Sequence, residues 1–552
     1  MGRAKAFGAF YTDAVVAEFL VRWALRGSAD TVVDPSFGGG VFLEAAAARL
    51  YELGGNEGQV YGVELDEEVH ARVSGELTGI SPENLIQSDF FTVEPGNLPP
   101  LAAVVGNPPF IRYQSFNGEL ALSKAKAQGV TLTKLSSSWV AFVVYSAAFL
   151  KPGGRLGMVI PAELAHAAYA RPVLEHLTQT FGCVTLLTFK ERLFPDISQD
   201  TLLLLAEDKN GVPNGLFWRD LDKGEMLAQP VDKVLQSATE LSYPALASGQ
   251  EKLIAQLLPP EARALYRNLL EHPEVSSLGT LADVGIGYVT GANSFFHLSP
   301  ERATELGLSS EHLKRAVFRS AALSGLAFTE TDWKASETKN AGYLLQLMDD
   351  VLDAELRSYL EQGEAAGVSQ AYKCRVRTPW YRVPHVYTPD ALLTYMSGLR
   401  PQLVANDAGA AAPNTLHVVR FRPDAKIPAK TLAAFWQTSL TSLSVELEGH
   451  ALGGGMLKLE PSEARRVLIA TPEGQFRALE AELDTLLRKG KIDEAQTLAD
   501  RVVLQEHLGL SQVDCTVLRE AAHMLRDRRY YRGKAKAATD KTSASPPPPS
   551  AS

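Results

Sequence analysis

Short apolar runs that stop on an acid or an amide punctuate the start of this chain. Residues 31–33 stop at Asp34, 59–63 at Glu64, 84–87 lie just before Asp89, and 101–105 lead to Asn107. Between and before them lie stretches of helical character, 13–25 and the Ala-rich 41–50. Short strands alternating with helices predict βα units of a doubly wound parallel sheet. In such sheets ligands sit beyond the carboxyl ends of the strands, which is where the polar stops fall. Gly38, Gly39 and Gly40 follow the first strand and allow close backbone approach, although the spacing is not G-x-G-x-x-G and a plain turn reads the same way. Further on, 201–206 predicts another strand, and Phe476, Leu479, Leu483 and Leu486 repeat at helical spacing, predicting a helical closing section.

The polar stops carry chemistry. After the strand at 101–105 comes Asn107-Pro108-Pro109-Phe110, in which two prolines fix φ twice and remove two backbone donors. That frozen turn offers an amide oxygen on Asn107, the carbonyl of Pro108 and the flat ring of Phe110, a set suited to a planar ring bearing an exocyclic NH2. An ordinary X-Pro-Pro turn is the bland alternative. Glu64 stands where a carboxylate binds a ribose diol in such folds. Asp89 with Phe90 could bracket an adenine ring, one accepting from its amino group and the other packing on its face. Each carboxylate alone also reads as a solvated strand end; the four stops in order, Asp34, Glu64, Asp89 and Asn107, carry more weight than any one.

In that order the residues resemble the amino-group DNA methyltransferases that use S-adenosylmethionine, with the gamma arrangement of motifs, over residues 1 to about 210. Phe10-Tyr11-Thr12 and the helix after it are similar to the N-terminal cofactor segment, and Asp34-Pro35-Ser36-Phe37-Gly38-Gly39-Gly40 to the first cofactor motif. Asn107-Pro108-Pro109-Phe110 is similar to the catalytic N-P-P-Y/F. Ser138-Trp139-Val140-Ala141-Phe142 and the turn at Pro152-Gly153-Gly154 match the family's following helix and strand, and Arg192-Leu193-Phe194-Pro195 the segment that packs on an extruded base. The resemblance implies a Rossmann-like, doubly wound α/β methyltransferase sheet followed by a mixed α+β target recognition domain and a helical section. It implies catalysis by Asn107, Pro108 and Phe110, stacking of the target base on Phe110 and Phe194, and cofactor binding by Tyr11, Thr12, Asp34, Ser36, Gly38, Glu64, Leu65, Asp89, Phe90 and Asn107. The implied substrate is double-stranded DNA and the implied product N6-methyladenine. Cytosine N4 is the alternative that shares this geometry, and a silent DNA specificity subunit the alternative of another class. Enzymes that methylate glutamine side chains or ribosomal RNA bases share the N-P-P-aromatic motif but usually lack so long a segment after the catalytic part.

Composition sharpens this picture. At 552 residues and 45% apolar content the chain exceeds one core, and the expected division is 1–212 catalytic, 213–460 recognition, 461–532 helical and 533–552 a Pro-containing disordered tail. Only Cys183, Cys374 and Cys515 occur, none after proline, so the nucleophile that carbon-5 cytosine methylation requires is missing, and nothing is spaced for zinc or a disulfide scaffold. No long apolar span or signal peptide is visible, which predicts a cytoplasmic protein without a membrane or metal requirement. A net charge of −10 argues against general nucleic-acid binding and leaves the distribution of cations to decide. Lys373, Arg375, Arg377 and Arg382 cluster with Trp380 at 372–385, without an acid between them. Strand-like alternation would put Lys373, Arg375 and Arg377 on one face, as a DNA-binding track or as a charged edge strand. The glycine-rich segments 287–293 and 449–455 resemble turns of the same recognition domain. A separate cognate endonuclease is a further expected partner.

Overall fold

The computed structural model describes residues 12–77, 79–110, 118–132, 137–165, 171–194, 201–242, 246, 252–336, 338–347, 353–452 and 455–542. They divide into two compact units, one up to Leu257 together with the helical residues from Tyr531 on, the other Leu258–Tyr530.

The first unit is built on a nine-stranded sheet of order β3-β2-β1-β4-β5-β7-β6-β8-β9. Its strands are β1 (Val32–Asp34), β2 (Val60–Glu64), β3 (Leu85–Gln87), β4 (Leu101–Gly106), β5 (Leu150–Pro161), β6 (Phe181–Phe189), β7 (Thr201–Lys209), β8 (Gly215–Leu221) and β9 (Thr239–Leu241). β3, β2, β1, β4 and β5 are mutually parallel, and β7 inserts antiparallel between β5 and β6. The strand order turns outward in both directions from β1 and β4, which makes their carboxyl ends the switch point of the sheet. β7 explains its own run of leucines: Leu202, Leu204 and Ala206 enter one core layer while Leu203 and Leu205 enter the other. A central strand buried on both faces has no polar side to show in its sequence.

One face is covered by α1 (Ala14–Ala24) and α2 (Val41–Leu53), with α3 (Glu67–Glu76) reaching the same layer through Val73. The other carries α4 (Gly118–Ala127), α5 (Ser138–Ser146) and α6 (Arg171–Thr180). Asp13 caps α1 by accepting from Val15 N–H at 2.9 Å, and Val16, Phe19, Leu20 and Trp23 bury its inner face. The expected catalytic boundary at 212/213 is corrected: β8 pairs in parallel with β6, so the sheet continues past it.

The second unit contains a four-stranded antiparallel sheet in which Leu416–Phe421 lies between Ala282–Ile286 and Ala391–Thr394, with Leu403–Ala405 at the edge. A three-stranded sheet centres on Ala341–Leu345. The helical section is present as Arg477–Arg488, Ile492–Ala499 and Gln512–Thr542, with Phe476, Leu479 and Leu483 buried as their spacing predicts. Arg529 on the last helix pairs with Glu446 at 2.7 Å, the two being 3% and 7% exposed, and its guanidinium also donates to the Gly398 and Leu399 carbonyls. The expected tail from 533 is corrected as well, since that helix runs to Thr542 through the helix-favouring Lys534-Ala535-Lys536-Ala537-Ala538. Among the described residues no helix is long and apolar enough to cross a membrane.

Candidate active site

Asp34 closes β1 with its side chain almost wholly covered, 1% exposed. Its Oδ1 accepts from Ser36 N–H at 3.0 Å, while Oδ2 is buried without a hydrogen-bond partner. Burial pushes the carboxyl up to about 8; the backbone bond from Ser36 opposes this and the charge of Glu64 adds to it. The next strand end crowds it. A Cβ on Gly106 would lie 2.7 Å from Asp34 Oδ1, so only glycine fits there without displacing the carboxylate. Sequence reasoning passed over Gly106, whose signal was its place as the last residue before Asn107.

The loop after β1 folds onto the end of β2. Phe37 N–H donates to the Val63 carbonyl at 3.1 Å, and Gly38 N–H, with φ +49°, donates to Glu64 Oε2 at 2.9 Å. Asp66 N–H donates to Glu64 Oε1 at 2.9 Å, and Ser88 N–H to the Glu64 carbonyl at 2.9 Å. Glu64 is therefore a fixed carboxylate that still has lone pairs to offer. Leu65 beside it is 46% exposed, an apolar side chain standing free at the edge of the same loop. Asp89 is half-buried and accepts from Phe91 N–H at 3.0 Å. The expected stacking role of the Phe90 ring is not borne out. The ring is 2% exposed, locked among Phe142 at 5.5 Å, Phe149 at 5.1 Å and Tyr145 at 5.4 Å.

At the end of β4, Asn107 Nδ2 donates to Thr12 Oγ1 at 3.1 Å, and Oδ1 is buried with no partner. The Pro109 carbonyl accepts from the Ser138 hydroxyl at the start of α5, which ties the proline turn to the sheet's helical layer. Among the described residues no donor meets the Pro108 carbonyl. Phe110 is half-buried and packs against both core layers at their rim. Phe194, expected beside it as a stacking face, is 8% exposed and belongs to the core layer of Phe189, Leu203 and Leu221. In this conformation its ring is a core contact, and that expectation is corrected. Tyr11 and residues 195–197 lie outside the described residues. Nothing in its local sequence marks Ser138, the first residue of α5, as the anchor of the turn.

The basic cluster is not a strand. Tyr372–Arg375 is a single helical turn, with Cys374 fully buried between the exposed Lys373 and Arg375. Arg377 points back into the protein, its Nη1 donating to the Thr290 carbonyl at 2.8 Å and its Nη2 to the Val289 carbonyl. The Cys374 thiol donates to the same Thr290 carbonyl at 3.7 Å. Gly291, with φ +86°, lies so close that a Cβ there would be 2.6 Å from Lys373 Cβ. The fold thus joins the glycine segment at 287–292 to the basic segment. Trp380 donates to Glu364 Oε1 at 2.8 Å and packs on Phe295, and Arg382 is half-buried. Lys373 and Arg375 both stand 5.6 Å from the Tyr372 ring, which is 65% exposed. Of the five expected DNA contacts, these two cations face solvent, and Arg377 is engaged in holding the loop.

Comparison with known proteins agrees with this architecture. Residues 2–223 match the family model described as N-6 DNA Methylase, and residues 250–504 match the C-terminal domain of Type II methyltransferase M.Eco57I. The chain is 21% identical over 474 residues to Type II methyltransferase M.AccI of Acinetobacter calcoaceticus, covering 84% of this chain and 85% of that protein. It is 24% identical over 496 residues to Type II methyltransferase M.XamI of Xanthomonas campestris pv. amaranthicola, covering 85% and 86%. Among solved structures, the Type IIL restriction-modification enzyme MmeI in complex with DNA shares the fold with a TM-score of 0.52 at 12% identity, over 93% of this chain and 75% of that one.

Proposed function

We propose, from the premise that this chain belongs to the DNA methyltransferases of the N-6 DNA methylase family, that it transfers a methyl group from S-adenosylmethionine to the N6 amino group of an adenine swung out of duplex DNA. The observation that carries the reading is the Asn107 amide, whose buried Oδ1 has no partner and lies at the switch point of the sheet. A buried acceptor left unsatisfied costs about 1–3 kcal/mol, so its retention at a strand end favours a ligand donor.

The strand ends suit the cofactor. Glu64 retains lone pairs for a ribose diol, Leu65 offers an apolar face to a ring, Asp89 keeps acceptor capacity for an amino group, and Asp34 has a buried oxygen to fill. When bound, the cofactor supplies an electrophilic methyl group. The protein's part is to hold the amine. Asn107 Oδ1 and the Pro108 carbonyl accept its two N–H groups, which draws the nitrogen lone pair out of ring conjugation and fixes its direction. Phe110 provides the flat face on which the base rests. No base strong enough to deprotonate an amine is required, because nitrogen becomes acidic once methylated and its proton then leaves to water. Extruding the base costs a few kcal/mol, recovered by these contacts. Lys373 and Arg375 contact the phosphates of the duplex.

Cytosine presents the same kind of amine, so the product identifies the base. The test is methylated-base sequencing of DNA from a naive host that expresses the chain, beside the Asn107→Ala variant. N6-methyladenine at one recurrent sequence, lost in the variant, is the expected result. Marks that persist at full level in the variant would remove Asn107 from the chemistry, and N4-methylcytosine would correct the substrate.

A further inference from the structure

An asparagine amide can accept a target amine only with its oxygen turned outward, and the same side chain rotated by a half-turn presents NH2 instead. The two orientations are nearly identical in shape, so the surroundings at both ends of the amide have to choose between them. Among the described residues the only hydrogen bond to the Asn107 side chain comes from a residue 95 positions away, Thr12, whose Oγ1 accepts from Nδ2 at 3.1 Å. A hydroxyl can accept from Nδ2 or donate to Oδ1, so what discriminates is the far end of the amide: with Nδ2 at Thr12, Oδ1 occupies the buried position that lacks a partner. Rotation would bury the NH2 group at that position, and an orphaned buried N–H is tolerated less well than an under-satisfied carbonyl.

Thr12 itself is well anchored. It lies one residue before Asp13, the cap of α1, and α1 is fixed against the sheet by Phe19, Leu20 and Trp23, which are 0–2% exposed. A Cβ on Gly157 of β5 would lie 3.4 Å from the Trp23 ring, so the helix seats directly on the strand next to β4.

We infer that Thr12 is a positioning residue: its hydroxyl anchors one end of the Asn107 amide, leaving the buried, unpartnered position opposite to take the oxygen that accepts the target amine. This rests on the proposed function and assigns Thr12 a task other than the cofactor contact expected of it. The role requires an oxygen at this place and nothing more of the side chain, so serine should serve and valine, of equal shape, should not.

The experiment compares full-length wild type, Thr12→Val, Thr12→Ser and Asn107→Ala. Turnover is measured with saturating S-adenosylmethionine and unmethylated genomic DNA from a naive host, and binding of S-adenosylhomocysteine is measured separately by calorimetry. Thr12→Val should lower kcat at least tenfold while S-adenosylhomocysteine affinity and the thermal midpoint stay near wild type, and Thr12→Ser should stay within about threefold of wild-type kcat. The inference is overturned if Thr12→Val keeps its kcat, if it loses S-adenosylhomocysteine affinity at unchanged kcat, or if serine fares no better than valine. Full activity of Asn107→Ala would instead overturn the functional reading beneath it, and the two failures are told apart by which variant shows them.

Discussion

Asp34→Asn isolates the electrostatics of the strand ends. Asp34 is buried with one oxygen unpartnered, and its carboxyl is raised from 3.8 to about 8 in the folded chain. Between these values the unfolded chain has released the proton and the folded chain has kept it. The folded state binds more protons there, so stability falls as pH rises, by about 1.4 kcal/mol per pH unit, and levels off above pH 8. Asparagine is neutral throughout and similar in shape. From pH 5 to pH 7, two units, wild type should therefore lose about 3 kcal/mol relative to Asp34→Asn, whatever the other groups contribute to both. The assay is urea unfolding of the two proteins without ligand at pH 5, 6 and 7, read as the difference between them so that shared titrations cancel. A gap that stays constant with pH would mean that Asp34 ionises normally when buried and that the orphan oxygen is solvated or paired, and the argument from burial would fail.

Other expectations follow from single contacts. Gly106→Ala should displace the Asp34 carboxylate, since the added Cβ would lie 2.7 Å from its Oδ1; a stability loss of about 1–3 kcal/mol with weakened cofactor binding is expected by unfolding and calorimetry, and wild-type behaviour would show that the strand end yields freely. The double variant Lys373→Ala with Arg375→Ala should reduce the slope of log affinity for DNA against log salt by about 2, two phosphate contacts at ~0.9 each, as titrations across salt concentrations would reveal. Arg377→Ala should leave that slope unchanged and lower stability by about 1–3 kcal/mol, because its guanidinium serves the Val289 and Thr290 carbonyls; a reduced slope would place it on the DNA instead.

The parts of this protein that were legible in its sequence are those whose signal is local. β1, β2, β3 and β4 fall within a residue or so of the apolar runs that predict them, and the polar stop of each run marks the switch point. Misreadings arose where the environment comes from elsewhere in the chain. Phe90 follows a polar strand end like a ligand-facing ring, but Phe142, Tyr145 and Phe149 arrive from α5 and the turn after it to enclose it. At Lys373-Cys374-Arg375-Val376-Arg377 the alternation of charge imitates a strand, yet Val376 is 63% exposed while Cys374 is fully buried, so the period of two does not sort the faces. What fixes that segment is the Thr290 carbonyl, which no pattern near residue 377 announces.

The strand ends also explain why acids and amides, rather than apolar residues, are tolerated in so buried a place. β1 and β4 are adjacent and parallel, with Val33 opposite Val104, so Asp34 falls level with Val105 and Asn107 lies two residues further along the chain, past the end of β4. Each keeps a buried oxygen without a donor, and each such atom costs about 1–3 kcal/mol in the unliganded fold. Apolar substitutes would remove that cost, and with it the affinity regained when donors arrive. The two oxygens differ in what they can meet. Asp34 is raised toward neutrality and gains most from a cation, whereas the Asn107 amide, neutral at every pH, suits the weakly acidic N–H of an aromatic amine. Two orphaned oxygens with different electrostatic demands, one at the end of each of two adjacent strands, suit two dissimilar ligands, in keeping with the proposed reading of a charged cofactor and a neutral base.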